Sequence, residues 1–343
     1  MTAFSHLNGI SRHVVTLASR QITSGLQPTI ITDREEYLTG TARNFGIHTE
    51  VASLCDTIDT ERIHEIIKRQ KFDIIHIHGR VAAFELNHCV KRYNIPIVYT
   101  YHSNTFDGFA IALAASLQNS AVISVSNVGK IMLSPYRGKS CQVFHVPNGL
   151  DSHQPEGLRF DAVSRHQLVS VGRLGWEKGL DVAIVALKLL VEECRESAPV
   201  LNIIGEGPDR AALQQLAREL EIEKSVIFHG EHLNPLHSET NALALIHTSR
   251  IDGCPLVILE AMRAGIPVVA SRVGGIPEIF PGEEYGLLSD VDSPHSVARG
   301  IRKLASTPSL RRAIAANASR RFEREYGADK MASRVNEVYE SVR

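Results

Sequence analysis

Two stretches of this chain combine residue types that could hold an anionic, hydroxyl-rich ligand. The first is Gly172-Arg173-Leu174-Gly175-Trp176-Glu177-Lys178-Gly179. It directly follows an apolar run and opens a helical pattern. Glycines let backbone approach an anion, a helix amino terminus offers N–H groups with no internal partner, and Arg173 and Lys178 add full positive charge. The segment reads as a phosphate site; the plain alternative is a solvated loop whose Arg and Lys pair with Glu177 or another carboxylate. The second stretch is Asp252-Gly-Cys-Pro-Leu-Val-Ile-Leu-Glu260. Its apolar interior predicts that Glu260 lies on a mostly buried helix, where a carboxylate needs donors such as ribose hydroxyls. Asp252 precedes that helix beside Gly253 and Pro255, placed to accept hydrogen bonds from sugar hydroxyls while the helix start faces phosphates. An N-cap Asp followed by a core Glu is the structural alternative.

Three weaker signals stand beside these. Gly205-Glu206-Gly207-Pro208-Asp209-Arg210 follows an apolar strand. It is a poor dinucleotide fingerprint, because Arg210 stands where a third glycine would let helix and strand pack closely; Pro208 starting a helix explains it structurally. His102, in Tyr99-Thr-Tyr-His-Ser-Asn104, follows another strand, and His76 and His78 project to one side of a third. A metal site from His76, His78 and His102 is conceivable. It is set aside, because strand histidines usually make structural hydrogen bonds, and no metal is expected.

Elements must position these residues, and their order is legible. Short β-branched runs alternate with helical patterns throughout, the signature of parallel sheets with crossing helices, so the fold class is α/β. Strands are predicted at Pro28–Thr32, Phe72–His78, Ile95–Tyr101, Ala121–Ser126 and Gln142–Val146, then Leu168–Val171, Val200–Ile204, Val226–His229, Leu243–Ile246 and Pro267–Ala270. Helices are predicted at Leu180–Cys194, Asp209–Leu220, Leu256–Ala264, from Pro294 onward, and as an amphipathic last helix over Ala328–Arg343. The 343 residues exceed one comfortable core. The expected domains are 1–150, 151–327 and a closing helix 328–343, with a polar linker at Asp151–Arg165. Two doubly wound domains facing across a cleft would place ligands at the carboxyl ends of strands.

Composition excludes several classes. Lys and Arg (37) nearly cancel Asp and Glu (38), which removes the broad attraction a nucleic-acid binder needs. The five cysteines are scattered without a CxxC pair, so they suggest neither a disulfide framework nor a zinc site, which fits a reducing cytoplasm. The longest apolar stretch, Phe109 to Val125, is interrupted by Ser116, Gln118, Asn119 and Ser120, so no membrane span is predicted; peripheral contact with the inner face of a membrane stays open.

Taken together, these motifs resemble retaining glycosyltransferases of the GT-B fold, family 4 (glycosyl transferases group 1). The resemblance rests on Gly172-Arg173 with Glu177-Lys178-Gly179, Gly205-Glu206-Gly207-Pro208, the element from Asp252 through Glu260-Ala-Met-Arg-Ala-Gly-Ile-Pro267, and Gly274-Gly275-Ile-Pro-Glu278. It implies two Rossmann-like domains and a last helix that crosses back to the first. It also implies a nucleotide-sugar donor, expected to be a UDP-sugar, with no cofactor and no metal. Arg173 and Lys178 would neutralise the donor diphosphate, Glu260 would hold the ribose, and Asp252 would contact the transferred sugar. Gly172, Gly205, Gly253, Cys254, Pro255 and Leu256 would line the donor, with Gly9 in the glycine-rich loop that approaches it. His102 falls at the family's cleft histidine on the acceptor side. The acceptor would be a growing glycan or a glycolipid, in polysaccharide, lipopolysaccharide or glycolipid synthesis. Two departures stand out. Asp252 replaces the more frequent Glu, and the chain opens almost directly at the glycine-rich loop, so most of the first strand is expected to be missing. A sugar-nucleotide epimerase of the same fold, or a truncated protein that binds donor without transferring it, are the alternatives; a pyridoxal phosphate phosphorylase has no support. Oligomeric state is not legible.

Overall fold

The structure, a computed structural model, describes residues 9–33, 37–54, 59–79, 86, 89–102, 120–137, 141–152, 167–194, 197–232, 234–236 and 242–343. The chain forms two compact units, Met1–Asp151 with Gly327–Arg343 and Ser152–Tyr326. The expected linker and first strand fall largely or wholly outside the described residues.

In the first unit the strands are β1 (Thr29–Thr32), β2 (His48–Val51), β3 (Ile75–His78), β4 (Ile97–Tyr101), β5 (Ser120–Ser124) and β6 (Cys141–His145). Its helices are α1 (Gly9–Thr23), α2 (Tyr37–Asn44), α3 (Thr60–Gln70) and α4 (Asn127–Leu133). In α3 the Asp59 side chain accepts the Arg62 N–H at the amino end, and Ile63, Ile66 and Ile67 form the buried stripe that the helical period requires. Among the described residues, β3, β4, β5 and β6 make one parallel sheet, and β1 and β2 a separate parallel pair. A cavity of about 760 Å³ is lined by Thr29, Ile30 and Ile31 on β1 and by Ile74, Ile75 and His76 at β3.

The second unit carries strands β7 (Gln167–Val171), β8 (Val200–Ile204), β9 (Val226–Gly230), β10 (Ala242–His247), β11 (Val268–Ser271) and β12 (Leu287–Ser289). Its helices are α5 (Leu180–Cys194), α6 (Arg210–Glu219), α7 (Leu256–Ala264), α8 (Ile276–Ile279), α9 (Pro294–Ser306) and α10 (Pro308–Glu325). One continuous parallel sheet runs in the order β12-β11-β10-β7-β8-β9. The chain builds outward from β7 to β9, then returns to lay β10 against the other side of β7. The strand order therefore reverses between β7 and β10, where an open α/β sheet leaves a crevice at the strands' carboxyl ends. Leu180, Ala183, Ile184, Leu187 and Leu190 give α5 its buried face in the core.

The last helix, α11 (Ala328–Val342), belongs to the first unit. The Ala328 N–H donates to the Leu150 carbonyl at 2.9 Å. Met331, Ala332, Val335 and Val338 pack against Leu17 of α1 and against Val98, Ala121 and Ile123 of the sheet. Each fully buried Val or Met there contributes roughly 1.5–3 kcal/mol. This is the surface the amphipathic sequence required.

Two strands have no counterpart among the sequence expectations. β2, His-Thr-Glu-Val, is exposed at one end and nowhere fully buried, so it lacks an apolar alternation. β12 is three residues long and lies at the edge of its sheet.

Candidate functional site

The loops that follow β7 and β10 meet at the reversal point. Gly172 leaves β7 and its N–H donates to the Ile204 carbonyl at 3.0 Å. Gly205, at the end of β8 with φ +140°, packs so closely that an added Cβ would stand 2.0 Å from the Gly172 carbonyl oxygen. The loop after β8 also accepts the Leu174 N–H through Glu206 O at 2.9 Å, and the Asp209 N–H returns to Leu174 O at 3.0 Å. Gly205 and Gly207 thus let two loops lie backbone to backbone, a structural role for that segment.

Lys178 ends a single 3₁₀ turn, Trp176–Lys178. Its Nζ donates to Asp252 Oδ2 at 2.8 Å across 74 residues of sequence. The same Oδ2 lies 3.1 Å from His247 Nε2 and accepts the Ser249 hydroxyl at 3.3 Å, while Oδ1 accepts the Gly253 N–H at 3.1 Å. Burial alone would favour the neutral acid. The Lys178 ammonium and the His247 hydrogen bond outweigh it and hold the Asp252 carboxyl well below the usual carboxylate range. Asp252 is therefore a fixed negative charge.

Arg173 is 63% exposed and pairs with Glu177 at 3.1 Å. Such an exposed pair is worth about 0–1 kcal/mol, so Arg173 can exchange that partner for another anion at little cost. Pro255 occupies the N-cap of α7 and Leu256 is its first residue. Proline has no side-chain acceptor, so no cap side chain competes for the first-turn N–H groups. Cys254 is 5% exposed, and Glu260, about one turn beyond Leu256, is 2% exposed. Glu260 is the buried helical carboxylate that the apolar spacing predicted.

Three residues here were not singled out from sequence: His247, Ser249 and Arg250. Arg250 binds both oxygens of Asp181 at 3.0 and 2.7 Å, Asp292 at 2.7 Å and the Trp176 carbonyl at 2.7 Å. Its N–H donates to the Glu177 carbonyl at 2.8 Å. It locks the Lys178 turn beside the β10 loop. The available signal was a polar run, His247-Thr-Ser-Arg250, placed immediately after a buried strand and ahead of Asp252.

In the first unit Gly9 opens α1 and is exposed. His102 directly follows β4, and its Nε2 lies 3.1 Å from Nδ1 of His78, the last residue of β3. His76 has both ring nitrogens engaged, by the Tyr339 hydroxyl and the Thr100 hydroxyl at 2.7 Å each. That corrects the triad weighed from sequence: His76 is committed elsewhere, and the third ring near His78 and His102 is His13 of α1, with centroids 5.3 and 4.7 Å away. Burial lowers His13 to about 4 and lowers His76, His78 and His102 well below the ordinary imidazole value. All four are neutral at pH 7.

With this geometry in place, comparison with known proteins defines the class. The profile "Glycosyl transferases group 1" matches residues 161–321, and "Glycosyltransferase Family 4" matches residues 7–154. Each half of the chain thus matches a glycosyltransferase family model, and the fold is that of the GT-B glycosyltransferases. It is 27% identical over 310 residues to an uncharacterised glycosyltransferase of Methanocaldococcus jannaschii, covering 80% of this chain and 76% of that one. It is 27% identical over 331 residues to a component of human phosphatidylinositol N-acetylglucosaminyltransferase, covering 88% of this chain and 66% of the relative. Among solved structures, Anabaena HepE in complex with UDP-glucose aligns with a TM-score of 0.83 at 18% identity, over 99% of this chain and 98% of that one. No described helix is long and apolar enough to cross a membrane.

Proposed function

We propose that this protein transfers a sugar from a nucleotide-diphosphate donor, a UDP-sugar, to a hydroxyl of a glycan or glycolipid acceptor, with retention of anomeric configuration. The observation that carries the proposal is the Lys178–Asp252 pair at 2.8 Å, set where the strand order of a six-stranded sheet reverses. This is where a doubly wound sheet receives its ligand. Lys178 has three N–H donors, so one bond to Asp252 leaves two for phosphate oxygens. Arg173 adds a second cation by releasing Glu177, and the uncapped start of α7 adds backbone donors. Asp252, ionised and anchored by Lys178, His247 and the Gly253 N–H, accepts hydrogen bonds from sugar hydroxyls; Glu260 takes the ribose. The family resemblance assigns the same roles, and HepE was captured with UDP-glucose.

In the step proposed, the bond from the anomeric carbon to diphosphate breaks and the bond to the acceptor oxygen forms on the same face. The acceptor proton passes to the departing phosphate oxygen. The protein's main task is to stabilise developing charge on that diphosphate, which Lys178, Arg173 and the helix start supply without a protein nucleophile. A glycolipid acceptor places the enzyme at the inner face of a membrane, in keeping with the phosphatidylinositol-modifying relative. Donor screening tests the reading. Among UDP-, GDP- and ADP-sugars, one series is expected to raise Tm and to be slowly hydrolysed. Epimerised donor without transfer would indicate an epimerase, and no shift with any donor would sink the proposal. Lys178→Ala is expected to lower transfer about 100- to 1,000-fold and to lower Tm as well, because the buried Asp252 loses its main counter-charge while keeping His247, Ser249 and Gly253. Near-normal turnover in that variant would remove Lys178 from the mechanism.

A further inference from the structure

We propose that His13, His78 and His102, all in the first unit, form a binding site for a late first-row divalent metal ion, zinc foremost, an inference that does not rest on the proposed transfer. One ring nitrogen from each of the three lies within 4.8 Å of the others. His78 Nδ1 and His102 Nε2 stand 3.1 Å apart. Two ligands at about 2.0–2.1 Å from a tetrahedral zinc lie roughly 3.3 Å apart, so this pair already has ligand spacing.

His13 supplies the independent observation. It is 2% exposed, and neither ring nitrogen has a partner within hydrogen-bond geometry among the described residues. The Asn148 side chain favours its charged form, but burial prevails and keeps it neutral. The Asn148 side chain reaches this ring only at marginal hydrogen-bond geometry, so the buried imidazole is incompletely satisfied, and a metal bond would satisfy a ring nitrogen. Burial, reinforced by the neighbouring rings, also keeps His78 and His102 neutral, and neutral imidazole is the form that binds metal.

Nearby contacts hold the set in place. His76, fixed by Tyr339 and Thr100, lies with its ring centroid 4.1 Å from that of His78 at 32°. His78 and His102 sit at the carboxyl ends of paired strands β3 and β4, whereas His13 rides on α1. The remaining separations, up to 4.8 Å, must close to roughly 3.3 Å for all three to share one ion. Three histidines then leave a fourth position for water. The ion would tie α1 to the sheet in the unit whose described strands fall into two sheets, and nitrogen-only ligation suits zinc, copper or nickel over magnesium or calcium.

The test uses the full chain. Equilibrium dialysis against zinc at micromolar free concentration is expected to give one tightly held ion per chain. Cobalt in its place is expected to give the strong visible absorption of a tetrahedral site. His13→Phe keeps the ring and its packing while removing the ligand, so it is expected to fold, to bind at least tenfold more weakly and to lose the cobalt spectrum. His78→Phe is expected to do the same. Absence of stoichiometric zinc on the wild-type chain would overturn the site, as would tight binding with an unchanged cobalt spectrum in both variants, which would place the metal on other residues.

Discussion

The two units use the same parallel α/β plan but stabilise their centres in opposite ways. The second has an unbroken six-stranded sheet, and the loops above it are tied by charge: Lys178 to Asp252, and Arg250 to Asp181 and Asp292. In the first, the described strands fall into a pair and a foursome, with the 760 Å³ cavity lined from both. Its polar centre is a group of four histidines, His13 and His78 buried and His76 and His102 half-buried, whose charged forms burial disfavours. One unit holds charge where a charged ligand would arrive; the other excludes it. Acid should therefore act on them at different pH.

The largest expected effect is this difference in acid sensitivity. For each buried histidine the folded pKa lies below the unfolded one, so the unfolded chain takes up the extra proton. Stability is full above pH 6.5 and falls as pH drops toward the folded value. For His13, lowered from 6.5 to about 4, the loss comes to roughly 3 kcal/mol, and the other three act in the same direction. Asp252 is a carboxylate lowered from 3.8; its contribution is complete above that value and is lost only below it. His229 of the second unit is also lowered by burial, but it is only partly buried. Calorimetry of the full chain with a chelator present, from pH 7.5 to 4.5, should show one transition moving down steeply and another nearly fixed. Parallel movement of both would erase the comparison.

A smaller contrast comes from one substitution with opposite signs. Gly205→Ala in the second unit places a methyl 2.0 Å from the Gly172 carbonyl at a φ of +140°, and should cost roughly 3 kcal/mol through strain and overpacking. Gly40→Ala in α2 meets nothing within 4 Å and needs no positive φ, so it should stabilise by about 0.5–1 kcal/mol. Denaturant melts of the two variants check both signs. A tolerated Gly205→Ala would mean that the interlocked loops are softer than their backbone contacts indicate.

Legibility in the sequence followed burial. Helices α5 and α7 matched their predicted bounds because buried apolar spacing marks both, with Gly179 just ahead of α5 and Pro255 and Gly265 bracketing α7. Glu260 was readable for the same reason. β2 and β12 were not: β2 buries none of its residues fully, and β12, although buried at Leu287 and Ser289, is only three residues long, too short to show a period. The pairing of Lys178 with Asp252 was invisible because it depends on the return of β10 to β7, a topological fact rather than a local one. His13 sits on α1 amid Val14, Val15, Leu17 and Ala18, and only the fold brings it to His78 and His102, whose places at strand ends are legible locally.

The smallest effect concerns surface. In the first unit Val128, Ile131 and Tyr136 are exposed within one short segment, with Lys130 and Arg137 among them, whereas Trp176, Ile227 and Val291 are dispersed along the second. Apolar and basic side chains together suit the interface of an anionic membrane, where a glycolipid acceptor would be met. Ile131 is 64% exposed, so Ile131→Ser should leave Tm unchanged while removing about 1–2 kcal/mol of interfacial burial. Co-sedimentation with vesicles containing phosphatidylserine is expected to weaken roughly five- to thirtyfold for Ile131→Ser and not at all for Ile227→Ser. Equal weakening by the two would spread membrane contact over both units and remove the contrast between their surfaces. Loss in neither would leave the Val128–Tyr136 face without a membrane role.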